Sequence, residues 1–353
     1  MKIVFSILFS IFLSISILAQ IPNGYYDDAF GLSGDDLMEA LHNIIKDHTS
    51  VTYGSLWDHF AITDKKPNGK VWDIYSDIPG SMPPYEYTFF TDQCGNYNSE
   101  GDCYNREHTF PKSWFGGNAY PMHSDLHHLY PTDGYVNSKR SNHPYGEVSS
   151  PSWVSMNGSR LGDNSAPGYS GTVFEPIDGY KGDLARMHFY MATRYLGEDG
   201  NWPGSPAVNG AQLKEWTLNM LYDWHLNDPV SDKEINRNNA IYNIQNNRNP
   251  FVDHPEFVAL IWFFTNIGDE IGQEMKVSIF PNPAEDVINI TTVYPYYNVH
   301  YSITDYTGRR LLKGRTENSK VTTVDISFLN HGYYLVTFFE DNGLINRTLK
   351  LIK

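Results

Sequence analysis

The chain has 353 residues, enough for two domains at about 150 residues each. Apolar residues make up 41% and aromatic residues 15%, which excludes a wholly disordered chain. The formal charge of −15 excludes a protein that coats nucleic acid through a broad basic face. It leaves room for an enzyme that meets a few phosphates through local cations.

Lys2 followed by the apolar run Ile3–Leu18, closing on Ala19, predicts a secretory signal peptide over 1–19. No later segment reaches the roughly 18–20 apolar residues of a spanning helix, so no stable membrane span is expected. In an exported protein the close pair Cys94 and Cys103 predicts a disulfide, contributing about 2–3 kcal/mol in the chain-entropy model.

Residues 20–265 read as one α+β domain with long loops. Leu37, Leu41, Ile44 and Ile45 repeat at helical spacing behind the capping candidates Ser33 to Asp36. Val71–Tyr75 and Tyr85–Phe90 are β-branched and aromatic and read as strands. Asp183–Tyr195, Gln212–Trp224, Ser231–Asn246 and Glu256–Phe264 read as helices, with Ser231 and Glu234 forming a capping-box pattern. Composition shifts near Thr265, where 266–275 is polar and predicts a linker. From 276 to 353 come seven short β-rich runs: Val277–Phe280, Val287–Thr292, Val299–Asp305, Arg310–Leu312, Val321–Ile326, Tyr333–Phe339 and Thr348–Ile352. Turn signals such as Asn282-Pro283 and Asn342-Gly343 separate them, and the spacing predicts a small all-β sandwich.

The densest chemical signal runs from Asn105 to Asn142. A carboxylate and an amide oxygen suit a hard divalent ion, an imidazole suits proton abstraction from water, and Arg or Lys suits phosphate charge. Together these are the parts needed to hydrolyse a phosphodiester. Arg106-Glu107-His108-Thr109-Phe110-Pro111-Lys112-Ser113-Trp114 resembles the signature of the bacterial endonuclease I family, exported nonspecific nucleases of the His-Me finger, or ββα-metal, type. The resemblance continues through Ser124-Asp125-Leu126-His127-His128, Val136-Asn137-Ser138-Lys139-Arg140-Ser141-Asn142, Tyr180–Arg186 and Asn247–Glu256, covering most of Val71 to Trp262. It implies a ββα-metal core with additional helices. It also implies His108 as general base, and Glu107 and Asn137 as ligands of one Mg²⁺, with Ca²⁺ or Mn²⁺ as alternatives. The substrate would be DNA, with RNA as a further possibility, cleavage would leave 5′-phosphates, and a monomer is expected.

Two features bear on that carry-over. Adjacent strand residues face opposite ways, so Glu107 and His108 serve one phosphate only if the strand ends or twists there, and Pro111 favours an early end. Relatives also carry extra residues after the Glu-His stretch that supply a phosphate-binding arginine. Here Trp114–Asp125 holds no Arg, so Arg140, Arg186 and Lys112 are the substrate-binding candidates. His123 stands where some relatives have Glu. Structural alternatives remain open: Arg140 on a solvated helix face, Arg186 in a buried ion pair with Asp183 or Glu175, and His127 as a fold-stabilising hydrogen-bonder. His123 and His127 lack the neighbouring Glu of a zinc hydrolase. A non-catalytic surface-binding protein on the same scaffold is the second functional class.

The run Met275–Ala284 with its Pro281-Asn282-Pro283, together with Tyr333–Val336 and the closing Lys350–Lys353, resembles the C-terminal sorting domain of type IX secretion. That implies export to the medium or cell surface, with the secretion machinery as a partner.

Overall fold

A computed structural model describes residues 21–263, 277–292, 299–305, 307, 309–316, 321–339 and 346–353. The expected signal peptide 1–19 and linker 266–275 lie outside the described residues. The chain divides into two units at Phe264/Thr265.

In the first unit the apolar stripe of Leu37, Leu41 and Ile45 builds α1 (Gly34–Ile45) and is buried along its length. α2 (Leu56–Thr63) anchors through Leu56 and Phe60. Val71–Tyr75 and Tyr85–Phe90, expected as strands, are irregular. Their backbone groups bond one at a time: Val71 N–H to the Tyr87 carbonyl, Trp72 N–H to the Asp64 carbonyl. Asp73 then turns the chain, accepting Tyr75 N–H on its side chain and Asp77 N–H on its carbonyl. The β-branched and aromatic composition of these stretches reflects burial, and the local Asp bonds take the place of a ladder.

β1 (Tyr104–His108) and β2 (Leu129–Asp133) form an antiparallel ribbon with His108 opposite Leu129. α3 (Gly134–Arg140) follows directly. Asp133 caps it, its Oδ1 accepting Val136 N–H at 2.8 Å while Oδ2 takes the Tyr87 hydroxyl and Gly101 N–H. This is a strand–strand–helix core. β3 (Val148–Val154), β4 (Arg160–Asn164) and β5 (Thr172–Glu175) then form an antiparallel sheet in that order. No strand is expected there from the sequence, because irregular register around Pro151 breaks the alternation.

α4 (Lys181–Arg194) is buried at every residue. Leu184, Met187 and Met191 supply the helical repeat, and the charged and imidazole side chains are paired: Lys181 with Glu175, Asp183 with Lys233, Arg186 with Glu234, His188 with the Leu184 carbonyl and Arg194 with Glu198. The short strands β6 (Val208–Asn209) and β7 (Gln212–Leu213) pair with each other, so the helix expected from Gln212 begins later, as α5 (Glu215–Asn227). α6 (Asp232–Gln245) carries the expected capping box between Ser231 and Glu234. α7 (Pro250–Asp253) and α8 (Phe257–Trp262) complete the unit. Cys94 and Cys103 form the expected disulfide. No helix of the described residues is long and apolar enough to cross a membrane.

The second unit is the expected sandwich. β8 (Val277–Phe280), β9 (Val287–Thr292), β10 (His300–Asp305), β11 (Arg310–Arg315), β12 (Val321–Asp325), β13 (Tyr333–Phe339) and β14 (Asn346–Ile352) form two antiparallel sheets, ordered β12-β9-β8 and β11-β10-β13-β14. Alternation fills the space between them: Ile288 and Ile290 from one sheet meet Ile303, Val336 and Phe338 from the other.

His188 in α4 packs on Phe110 and Tyr145, and burial lowers its pKa to about 3 from 6.5. The folded chain keeps this ring neutral at pH 5, whereas the unfolded chain protonates it. Unfolding therefore gains a proton, and stability falls, as pH drops from 6.5 toward 3. His188→Leu removes this uptake. Denaturant unfolding should show the variant's deficit shrinking by about 2 kcal/mol between pH 7 and pH 5. A deficit independent of pH would contradict the assignment.

Candidate active site

Strand alternation sorts the end of β1 into two faces. Arg106 and His108 project from one, Asn105 and Glu107 from the other. The strand ends at His108, as the pair's joint use requires.

His108 Nε2 lies 3.1 Å from the His123 carbonyl oxygen. A carbonyl only accepts, so Nε2 carries the ring proton and Nδ1 the lone pair. Near-parallel rings hold the imidazole: His123 at 5.2 Å and Tyr53 at 5.8 Å between centroids, with Tyr53 and His123 themselves 4.2 Å apart. Burial, then the neighbouring His128, holds the His108 pKa well below the ordinary imidazole value. The ring is a neutral base at pH 7. Burial, then the charges of Lys112 and Arg106, also lowers the His123 pKa, and Arg106 lies over the Tyr53 ring that stacks on His123.

On the opposite face, Glu107 Oε1 accepts from the Tyr75 hydroxyl at 2.9 Å and Arg140 Nη1 at 3.0 Å. Tyr75 is linked onward to Tyr145 at 2.7 Å. Burial pushes the Glu107 pKa up to about 7, against the pull of Arg140 and Tyr75. Across from it on α3, half-buried Asn137 donates Nδ2 to Asn105 Oδ1 at 2.7 Å, which leaves its carbonyl oxygen outside that bond. Arg140, one helical turn on, also donates to the carbonyls of His108 at 2.9 Å and Thr109 at 2.6 Å.

The structure thus brings Glu107, Asn137 and Arg140 together on one side of β1 and His108, Lys112 and Arg106 on the other. Lys112 is exposed in a turn after the strand. The two arginines expected at the substrate are placed otherwise. Arg140 is fully buried, its Nη1 and Nη2 engaged with Glu107 and the two carbonyls. Arg186 is fully buried against Glu234, at 2.5 and 2.8 Å, and the Asp228 carbonyl. Both guanidiniums are committed to internal acceptors, so neither is free to take up a phosphate. His127 bonds the Asn247 carbonyl and lies against Tyr190, a structural role, and so does not converge with His123. Tyr53, Tyr75 and Tyr145 carry no sequence signal for the site, because they come from loops and distant segments.

Residues 33–256 match the family described as Endonuclease I, which is more than half of the chain. The chain belongs to the endonuclease I family. It is 37% identical over 250 residues to an extracellular ribonuclease of Bacillus subtilis (strain 168), covering 67% of this chain and 78% of that protein. It is 39% identical over 251 residues to an extracellular ribonuclease of Bacillus amyloliquefaciens, with the same coverage. An Endonuclease-1 of Buchnera aphidicola subsp. Acyrthosiphon pisum is 30% identical over 131 residues, 37% of this chain and 45% of that protein. Residues 278–353 match a secretion system C-terminal sorting domain, the β-sandwich unit. The chain is therefore a secreted or cell-surface nuclease, addressed by a type IX sorting domain.

Arg140→Ala would leave the buried Glu107 carboxylate without its cationic partner, with the Tyr75 hydroxyl as its remaining donor, and two carbonyls without the guanidinium. A loss of about 3–5 kcal/mol in denaturant unfolding is expected. A loss comparable to that of the neighbouring Lys139→Ala would show the fork to be dispensable.

Proposed function

We propose that this nuclease hydrolyses internal phosphodiester bonds of DNA and RNA with little sequence preference. His108 is the general base, and Glu107 and Asn137 hold one Mg²⁺, replaceable by Mn²⁺ or Ca²⁺. The observation that carries the reading is His108 itself: a neutral imidazole fixed in one tautomer by a backbone carbonyl, at the end of a strand whose other face offers hard oxygens.

The donor set fits a divalent ion. Glu107 Oε1 is held by Tyr75 and Arg140, leaving Oε2 outside those two bonds, and the Asn137 carbonyl oxygen lies outside its bond to Asn105. A buried carboxyl whose pKa stands near 7 gains from a nearby cation that keeps it ionised. Two protein oxygens leave room for water and phosphate, as Mg²⁺ prefers. Mg²⁺ bound there supplies charge stabilisation at the phosphate and at the departing 3′ oxygen.

The chain's own residues do the rest. His108 Nδ1 accepts a proton from water while Nε2 stays on the His123 carbonyl, so the ring does not rotate as it becomes charged. Lys112 contributes positive charge beside the His108–His123 pair. Contacts to phosphate carry no sequence information, which accounts for broad cleavage. The two relatives matched over the longer span are named ribonucleases, which favours RNA alongside DNA.

A plasmid and a long single-stranded RNA should both be cut with Mg²⁺ and spared with EDTA. His108→Ala should lower the rate by about 10²–10⁴. Attack by water with cleavage of the P–O3′ bond, the 3′ oxygen leaving, predicts 5′-phosphate and 3′-hydroxyl ends on both substrates. Full activity of His108→Ala would remove the base assignment, and 2′,3′-cyclic phosphate ends on RNA would replace water with the 2′-hydroxyl.

A further inference from the structure

The nuclease unit contains seven arginines among its described residues, and six meet a carboxylate. Arg140 reaches Glu107 at 3.0 Å, Arg160 reaches Glu175 at 2.5 Å, Arg186 reaches Glu234 at 2.5 Å, Arg194 reaches Glu198 at 2.8 Å, Arg237 reaches Asp64 at 2.7 Å and Arg248 reaches Asp253 at 2.6 Å. Arg106 has no carboxylate partner among the described residues. In a chain of net charge −15 this is the exception, and it sits two residues before His108 on the same face of β1.

Its setting holds the guanidinium in place without neutralising it. The Cζ atom lies 3.8 Å from the Tyr53 ring centroid and 4.5 Å from that of Trp57. Nη1 donates to the Tyr53 carbonyl at 2.8 Å, and the remaining donors meet no acceptor among the described residues. The Tyr53 ring that carries the guanidinium is also the ring that stacks on His123 and lies beside His108. One aromatic plate therefore fixes both the base and the cation. A half-buried, planar fork with open donors matches the two non-bridging oxygens of a phosphodiester.

We propose that Arg106 is the phosphate-binding arginine of this site. It grips the non-bridging oxygens of the phosphodiester that His108 addresses and stabilises the charge that grows on them during attack. The proposal rests on the hydrolytic reading of His108. Lys112, exposed on the same side and also without a carboxylate partner among the described residues, would hold the strand at an adjacent phosphate.

The test uses the full chain and a labelled single-stranded oligonucleotide, in a His108→Ala background so that the strand stays intact. Arg106→Gln should weaken binding and reduce the slope of log affinity against log salt by about 0.7, the value of one phosphate contact on a single strand. In the otherwise wild-type enzyme it should lower kcat about 100-fold, the effect of removing one transition-state donor. Arg106→Lys keeps the charge without the fork, so it should retain the salt slope and still lose most of kcat. Thermal melting confirms that each variant is folded, and the Lys variant carries the test if the Gln variant is not. An unchanged salt slope in folded Arg106→Gln, or wild-type kcat in folded Arg106→Lys, overturns the proposal. Cleavage by His108→Ala itself would instead remove the hydrolytic reading, independently of what the Arg106 variants show.

Discussion

The candidate site depends on where one guanidinium is spent. Arg140 leaves the last turn of α3, crosses the end of β1 and donates to the Glu107 carboxylate and to the carbonyls of His108 and Thr109. Among the described residues β1 pairs along its length with β2 alone, so carbonyls at its end depend on side-chain donors such as Arg140. The same contact fixes α3 against the strand, where Asn137 meets Asn105 on the face of β1 that Glu107 shares. It also explains how a carboxylate can be buried here at all. Burial drives the Glu107 pKa up to about 7, and Arg140 and Tyr75 hold it from rising further.

The rest of the nuclease unit repeats this device. Arg186 braces α4 to the capping glutamate of α6, and Arg237 bonds Asp64 and the carbonyls of Leu126 and Leu129. Asp125 gathers the hydroxyls of Tyr190 and Tyr195 with the Gln245 amide. Much of the chain around the site is loop, whose backbone groups find no ladder, and buried polar side chains serve them instead. Such pairs add little net stability compared with apolar packing, because desolvation offsets the attraction. They do fix geometry, since each fork accepts only one arrangement of its partners, and a site assembled from loops needs that.

This division decides what was legible in the sequence. α1 and α6 announce themselves through an apolar stripe and a capping box, both local patterns. The sandwich strands follow alternation and turns. Val71–Tyr75 and Tyr85–Phe90 read as strands because burial selects the same residue types as a strand does, while the Asp73 turn that breaks the ladder depends on side-chain bonds. At the site, Glu107, His108 and Asn137 could be named from motif order. Tyr53, Tyr75 and Tyr145 could not, because nothing local ties them to β1. The roles of Arg140 and Arg186 were not readable either. A guanidinium at a given position looks the same in sequence whether it meets an acid inside the fold or a phosphate outside it.

The charge balance gives that distinction its functional weight. A nuclease carrying −15 repels a polyanion over most of its surface, so attraction has to be local and short-ranged. Pairing six arginines with internal acids removes them from that task, and the one arginine of this unit left without an acid among the described residues, Arg106, shares a face of β1 with His108. On the proposed reading the strand is held by few phosphate contacts, at the point of reaction. Few contacts mean weak ground-state binding, and contacts placed where charge develops act on the transition state more than on the bound strand. An acidic exterior therefore does not argue against nuclease chemistry. It shifts the use of positive charge from capture to the chemical step, and it leaves product strands little to hold them.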